Sequence, residues 1–266
     1  MSKRQLKLAE YILENIDETA FLTSVKLGEK AKVSEATVIR FAQFLGFSGF
    51  KDIKESLQQA IKQKITPKIK MKETIERIKN KENVFCNLLN IDKAILDKVD
   101  YNCSEKNIKK VVEYLRKSSI IYIIGLGISK AIVNFLEFRL NRLEYNVLAI
   151  TGGGEEVIDK LMSITPKDVI IGIGFFRPHR ELIAALEIAK QKGVPIIAIT
   201  DSEFSPIATN ADVVLNAKRG PADLMTSLVA PMSVANILIL TLAMEDQEKS
   251  IDAFVKLDEL KEKYNL

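Results

Sequence analysis

The sequence predicts an α/β protein with an all-α N-terminal domain, and two observations carry that prediction. In the first 116 residues apolar side chains recur at helical spacing, whereas after Lys117 short apolar runs alternate with longer helical patterns. The short runs are continuously apolar, so each strand must be buried on both faces. That is the mark of a parallel sheet held between helices in a three-layer α/β/α sandwich. With 266 residues, 47% of them hydrophobic, the chain is long enough for two domains that each own a core.

The helices come first. Leu6, Ala9, Ile12, Leu13 and Ile16 form one stripe and predict a helix from about Lys3 to Ile16. Thr23 and Ser24 are good N-caps for a short second helix that uses Val25, Leu27 and Ala31 and ends near Lys32. Ser34 caps a third, running through Leu45 with Val38, Phe41, Ala42 and Leu45 inward, and Gly46 stops it in the C′ position. A charged helix spans Lys51 to Lys64. The stretch Lys62 to Lys72, with Pro67 inside it, reads as a linker, which divides the chain into 1–72 and 73–266. Further helices fill 73–116, with Ser104 capping the last. Strands are then expected at 120–124, 146–150, 168–173, 194–200 and 213–215. Helices are expected at 129–143, 155–162, 181–192, 224–245 and 250–264.

Composition narrows the partners. Residues 1–70 hold thirteen Lys and Arg against eight Asp and Glu, an excess of five, so 71–266 sum to −1 within the chain's +4. A basic head on a near-neutral body points to a polyanion partner for the head alone. Cys86 and Cys103 are too few and too far apart for a metal cluster, and neither a metal nor a cofactor is expected. No apolar stretch of signal or membrane-spanning length occurs, so a cytoplasmic protein without a membrane partner is expected.

The segment Leu27 to Phe44 gives two helices joined by a tight turn at Lys32 and Val33, the arrangement of a helix-turn-helix. With Val38, Phe41 and Leu45 inward, the residues Glu35, Ala36, Thr37, Arg40 and Gln43 are left outward as base readers. Arg suits guanine and Gln suits adenine, while Ser34 and Lys51 can contact phosphates. The same pattern also fits a helical bundle that binds nothing. In the body, Gly125-Leu-Gly-Ile-Ser129 lies between a strand and a helix, where backbone N–H groups can cradle an anion. A dinucleotide fingerprint would need glycine where Lys130 stands, and the plain alternative is a tight strand-to-helix turn.

The motif Ser34-Glu-Ala-Thr-Val-Ile-Arg-Phe41, followed by Leu45-Gly-Phe-Ser-Gly-Phe50 and Lys51, resembles the N-terminal domain of the RpiR/MurR family of bacterial sugar-responsive regulators. Two positions depart from the usual helix-turn-helix: Gly28 replaces Ala, and Lys32 replaces the turn Gly. Residues 118–245 are similar to the SIS (sugar isomerase) domain of that family, through Gly125 to Ser129, Ile199-Thr200-Asp201, Ser205-Pro206-Ile207-Ala208 and Ala211-Asp212. Where such domains carry a phosphate-binding Ser-x-Ser-Gly-x-Thr turn, this chain reads Gly172-Ile-Gly-Phe-Phe-Arg-Pro-His-Arg180, without hydroxyls.

The resemblance implies a transcription regulator that binds double-stranded DNA at a palindromic operator as a homodimer or tetramer. Its effector would be a small anionic sugar derivative, held by Gly125, Gly127, Ser129, Lys130, Gly174, Arg177, His179 and Arg180. Arg177, His179 and Arg180 are expected to converge on the Gly125 loop in place of the missing hydroxyls. Two other functions fit the same domains: a sugar-phosphate isomerase, with His179, Glu155, Glu156 and Glu181 as the nearest acid–base candidates, and a DNA-binding protein whose body only dimerises. The apolar stretch Val229 to Ala243 supplies either a dimer face or a cover for the sheet.

Overall fold

A computed structural model describes the chain apart from residues 1, 65–66, 80–82, 100–102, 204, 221–223 and 266, and apart from the side chains of residues 14, 17, 58–64 and 67. Two compact units emerge: Met1–Leu88 with Pro221–Thr226, and Leu89–Gly220 with Ser227–Leu266.

The first unit is helical: α1 Lys3–Glu14, α2 Ile16–Thr19, α3 Ser24–Ala31, α4 Glu35–Phe44, α5 Phe50–Lys64, α6 Pro67–Lys79 and the start of α7 Val84–Leu96. Leu8, Ile12, Leu22, Leu27, Val38, Phe41 and Ile53 are buried and form its core. The first helix stops two residues before the expected Ile16: Asn15 leaves the helical region at φ −129° and ψ 42°, and its carboxamide donates to the Tyr11 carbonyl at 3.0 Å. Pro67, expected in a linker, instead opens α6. A proline at the first helical position lacks only an N–H that the helix would leave unpaired, and its φ is already helical.

The turn between α3 and α4 is tight. Lys32 takes the left-handed conformation, φ 54° and ψ 48°, which costs on the order of 1 kcal/mol for a residue with a Cβ. The turn is closed by the Val33 N–H donating to the Gly28 carbonyl at 2.8 Å and the Lys32 N–H to Glu29 at 3.1 Å. This explains Gly28: a Cβ there would lie 2.8 Å from the Val33 carbonyl oxygen and 3.3 Å from the Glu35 nitrogen, both backbone.

In the second unit, α8 Glu105–Lys117 leads into a five-stranded parallel sheet: β1 Ile121–Ile124, β2 Val147–Ile150, β3 Val169–Ile173, β4 Ile196–Thr200 and β5 Val213–Asn216. The spatial order is β2-β1-β3-β4-β5. Successive strand residues face opposite layers. Ile121, Ile123, Ile171, Ile197 and Leu215 pack with α8, α9 (Lys130–Arg142) and α12 (Val229–Glu245), while Tyr122, Ile124, Ile170 and Ala198 pack with α10 (Glu156–Leu161) and α11 (Arg180–Gln191). The expected sandwich is therefore present. Only the edge strand β2 is half-buried over most of its length. The last two helices differ from expectation at their starts. Residues 224–228 are not helical, α12 begins at Val229 with the Ser227 hydroxyl accepting from the Val229 N–H at 3.1 Å, and α13 runs Gln247–Tyr264. Among the described residues no single helix is long and apolar enough to cross a membrane.

Gly28→Ala is expected to destabilise the first unit by about 1–3 kcal/mol, because the backbone it meets cannot swing aside as a flexible side chain would. Thermal unfolding checks this; an unchanged midpoint would show slack in the turn.

Candidate functional site

On the first unit the candidate surface is α4. Ser34 is its N-cap, with Oγ accepting from the Thr37 N–H at 3.3 Å and lying 2.9 Å from the Thr37 hydroxyl. Thr37 is buried, which corrects its assignment as an outward base reader: it stands one turn before Phe41 on the inward face. Leu45, expected inward, is half exposed. The helix has ended by then, since Gly46 at φ 86° donates to Gln43 at 3.0 Å and Phe47 to Ala42 at 3.0 Å, which carries the chain off the inward stripe. Glu35 is exposed but occupied, accepting from the Ser24 hydroxyl at 2.6 Å and so tying α4 to the start of α3. Ala36, Arg40 and Gln43 are exposed, as is Lys51 in the first turn of α5. Arg40 Nε donates to the Ala36 carbonyl at 3.1 Å, which lays the guanidinium stem along the helix. Ile39, not singled out by sequence, is exposed beside them and offers an apolar contact suited to a thymine methyl.

In the second unit the strand order reverses between β1 and β3, and the loops leaving their carboxyl ends open a crevice there. A cavity of about 100 Å³ lies in it, and its lining includes Gly127, Ser129, Gly174, Arg177, His179 and Arg219. Gly125 lies beneath rather than in the lining. A Cβ there would sit 2.8 Å from Val133 Cγ2 and 3.3 Å from Ile173 Cβ, so glycine lets the first turn of α9 pack on the β3 end. Gly127 has φ 59°, and its missing Cβ would lie 3.4 Å from His179 Nε2, which brings the imidazole against the β1 loop. Ser129 is buried immediately before α9, whose N-terminal dipole faces the same crevice. Lys130 and Arg180 are exposed and outside the lining.

The third basic side chain at the cavity is Arg219 instead, on the loop after β5. Its side chain is only 9% exposed, and its guanidinium carbon is 4.3 Å from the Phe175 ring centroid. Nη2 lies 3.6 Å from Oδ2 of Asp201, which follows β4. Burial pushes the Arg219 pKa down and Asp201 opposes this. The other Asp201 oxygen accepts from the Phe176 N–H at 3.0 Å, and Phe176 is held at φ 48°, a left-handed conformation rare for an aromatic residue. Arg177 is exposed, its guanidinium 5.0 Å from the Phe176 ring. Two of the three carboxylates weighed as acid–base candidates point elsewhere: Glu156 pairs with Lys160 at 2.8 Å, and Glu181 reaches toward Gly153 in the loop after β2. Among the described residues no group of three or more His, Cys, Asp or Glu is placed to hold a metal ion.

Residues 1–64 match the helix-turn-helix domain of the rpiR family, and residues 114–241 match the SIS domain. The chain thus joins an rpiR-family helix-turn-helix domain to an SIS domain. Over 65% of its length the fold is similar to that of the sugar isomerase domain of an RpiR transcription factor from Sphaerobacter thermophilus, with 29% identity, 97% of that chain covered and a TM-score of 0.63. It is also that of the Vibrio vulnificus NanR protein complexed with ManNAc-6P, at 22% identity over 98% and 93% of the two chains with a TM-score of 0.67. A protein of E. coli CFT073, solved with a bound ligand, shares the body, at 18% identity over 65% and 95% with a TM-score of 0.55. The RpiR head and SIS body are those of DNA-binding transcription regulators that bind sugar derivatives.

Ser34→Ala is expected to cost about 1–2 kcal/mol of stability, since it removes the α4 cap and the hydroxyl partner of buried Thr37 together. Denaturant unfolding measures it; Ser34→Asp, which restores a capping oxygen, should recover most of the loss.

Proposed function

We propose that the protein is a transcription regulator whose operator affinity is set by a small anionic effector, a sugar phosphate, bound in the crevice between the β1 and β3 loops. The observation that carries this reading is the cavity itself, where two arginines, a histidine, a buried hydroxyl and a helix N-terminus face one small space. A space of about 100 Å³ has room for several water molecules, which suits one anionic group, with the rest of the effector lying outside it. The planar guanidinium of Arg177 can clamp phosphate or carboxylate through two hydrogen bonds, replacing the hydroxyls of the family's usual turn. The NanR structure, complexed with ManNAc-6P, supports a sugar phosphate on this fold. An isomerase would need a base poised at a C–H acid; the charged side chains lining the cavity are cationic, which favours holding an anion over abstracting a proton.

On α4 we assign base reading to Arg40 and Gln43 with Ala36 and Ile39 alongside, phosphate contact to Lys51 and Ser34, and a positioning role to Glu35 through Ser24. A palindromic operator follows if two copies pair by a two-fold axis. The outward sides of α12 and α13 support such pairing, since Ile237, Leu240, Met244, Ile251, Phe254 and Val255 are all exposed.

Arg40→Ala is expected to weaken specific operator binding by about 1–3 kcal/mol with the fold intact, whereas Lys51→Ala should weaken binding to every sequence and lower the salt slope by about 1. Salt-dependent titrations on operator and random DNA separate the two; operator affinity unchanged in Arg40→Ala would remove α4 as the recognition helix. For the body, a thermal-shift screen of sugar phosphates and sugar acids should find a ligand that adds about 2.7 kcal/mol of stability at 100 times its Kd. Arg177→Ala should abolish that shift and the accompanying change in operator affinity, yet bind operator normally without ligand.

A further inference from the structure

Asp201 joins three loops that the sequence keeps apart. One oxygen holds the Phe176 N–H at 3.0 Å, and so the β3 loop; the other faces Arg219 from the β5 loop; and Asp201 itself directly follows β4. The contact with Arg219 is loose. At 3.6 Å it is an ion pair beyond the roughly 2.7–2.9 Å of a charge-assisted hydrogen bond. Arg219 is nonetheless buried, with its guanidinium fixed over the Phe175 ring, so it is already aimed into the cavity and need not move to meet a ligand. Asp201 is the more exposed of the two, at 22% against 9% for the Arg219 side chain, so it can return to water at little cost. Ser129, Arg177 and His179 supply the rest of the polar lining, and among the described residues Asp201 is the carboxylate set against Arg219.

We propose that Asp201 is a built-in competitor: without effector it shields Arg219, and the effector's anionic group takes its place. This rests on the reading that the cavity binds an anion and adds to it a residue that sets affinity and passes the binding event on. Once displaced, Asp201 no longer accepts from Phe176, whose left-handed backbone is tolerated while that acceptor is in place. The loop Gly174 to His179 then has two arrangements, and an anion selects between them. The exchange also sets specificity. A dianionic phosphate gains more from the guanidinium face that Asp201 vacates than a neutral sugar does, and a neutral sugar has no charge with which to displace the carboxylate.

Isothermal titration of the full chain with inorganic phosphate tests the exchange. Asp201→Asn keeps an acceptor for the Phe176 N–H but removes the competing charge, and it should bind phosphate at least about fivefold more tightly than wild type. A residue with a merely structural role would give the opposite sign. Arg219→Gln should lose at least about tenfold in phosphate affinity, with Arg219→Lys partly restoring it; this arm holds even if Asp201→Asn folds poorly. Phosphate affinity unchanged or weakened in a folded Asp201→Asn, or unchanged in Arg219→Gln, overturns the proposal. If Arg177→Ala loses phosphate while Asp201→Asn shows no tightening, the anion site stands and only the exchange fails. If none of the proteins binds phosphate, both fall.

Discussion

Burial of the parallel sheet on both faces is the constraint from which the functional body follows. With β1, β3 and β4 enclosed completely between two helical layers, no strand interior offers a face to a ligand, and charged groups are driven to the strand ends. At the carboxyl ends the β2-β1-β3-β4-β5 order sends the chain to opposite sides from β1 and β3, so their loops diverge and leave a gap. Gly125 and Gly174 allow close packing around that gap, since a Cβ would lie 2.8 Å from Val133 and 2.6 Å from Leu182, while Gly127 supplies the left-handed turn at φ 59°. The basic side chains arrive from two loops, Arg177 and His179 after β3 and Arg219 after β5, so the site depends on strands that are not neighbours in the sheet.

The head is organised differently, since short helices gain little from their own hydrogen bonds and depend on packing and on their ends. Ser34 caps α4 and Gly46 closes it, while Lys32 and Gly28 set the angle between α3 and α4. The outward stripe of α4 is thus presented by a frame in which Thr37 and Glu35 serve positioning. The departures from the usual motif at Gly28 and Lys32 are consistent with each other: the left-handed turn folds Val33 back onto residue 28, where a side chain has no room.

Much of this was legible in the sequence. Periodicity located every strand to within two residues at either end, and the caps at Thr23, Ser34 and Ser104 marked three helix starts. The misses have physical causes. Helical spacing averages over a face and cannot show that Thr37 turns in to meet Ser34, nor that the helix has unwound by Leu45. Pro67 signals a boundary equally well as a break or as a first helical residue. Arg219 was invisible because nothing in its local sequence says that the loop after β5 folds over Phe175. It becomes a site residue only through long-range packing, and the same holds for the bridge from Asp201 to Phe176.

The proposed seat of the anionic effector is the crevice between the β1 and β3 loops. Amide hydrogen exchange of the full chain, recorded with and without saturating inorganic phosphate, addresses it most directly. Slower exchange is expected in residues 127–129 and a change in residues 174–179, with the strand interiors unaffected. Protection confined to other parts of the chain, with both loops exchanging as before, would contradict it.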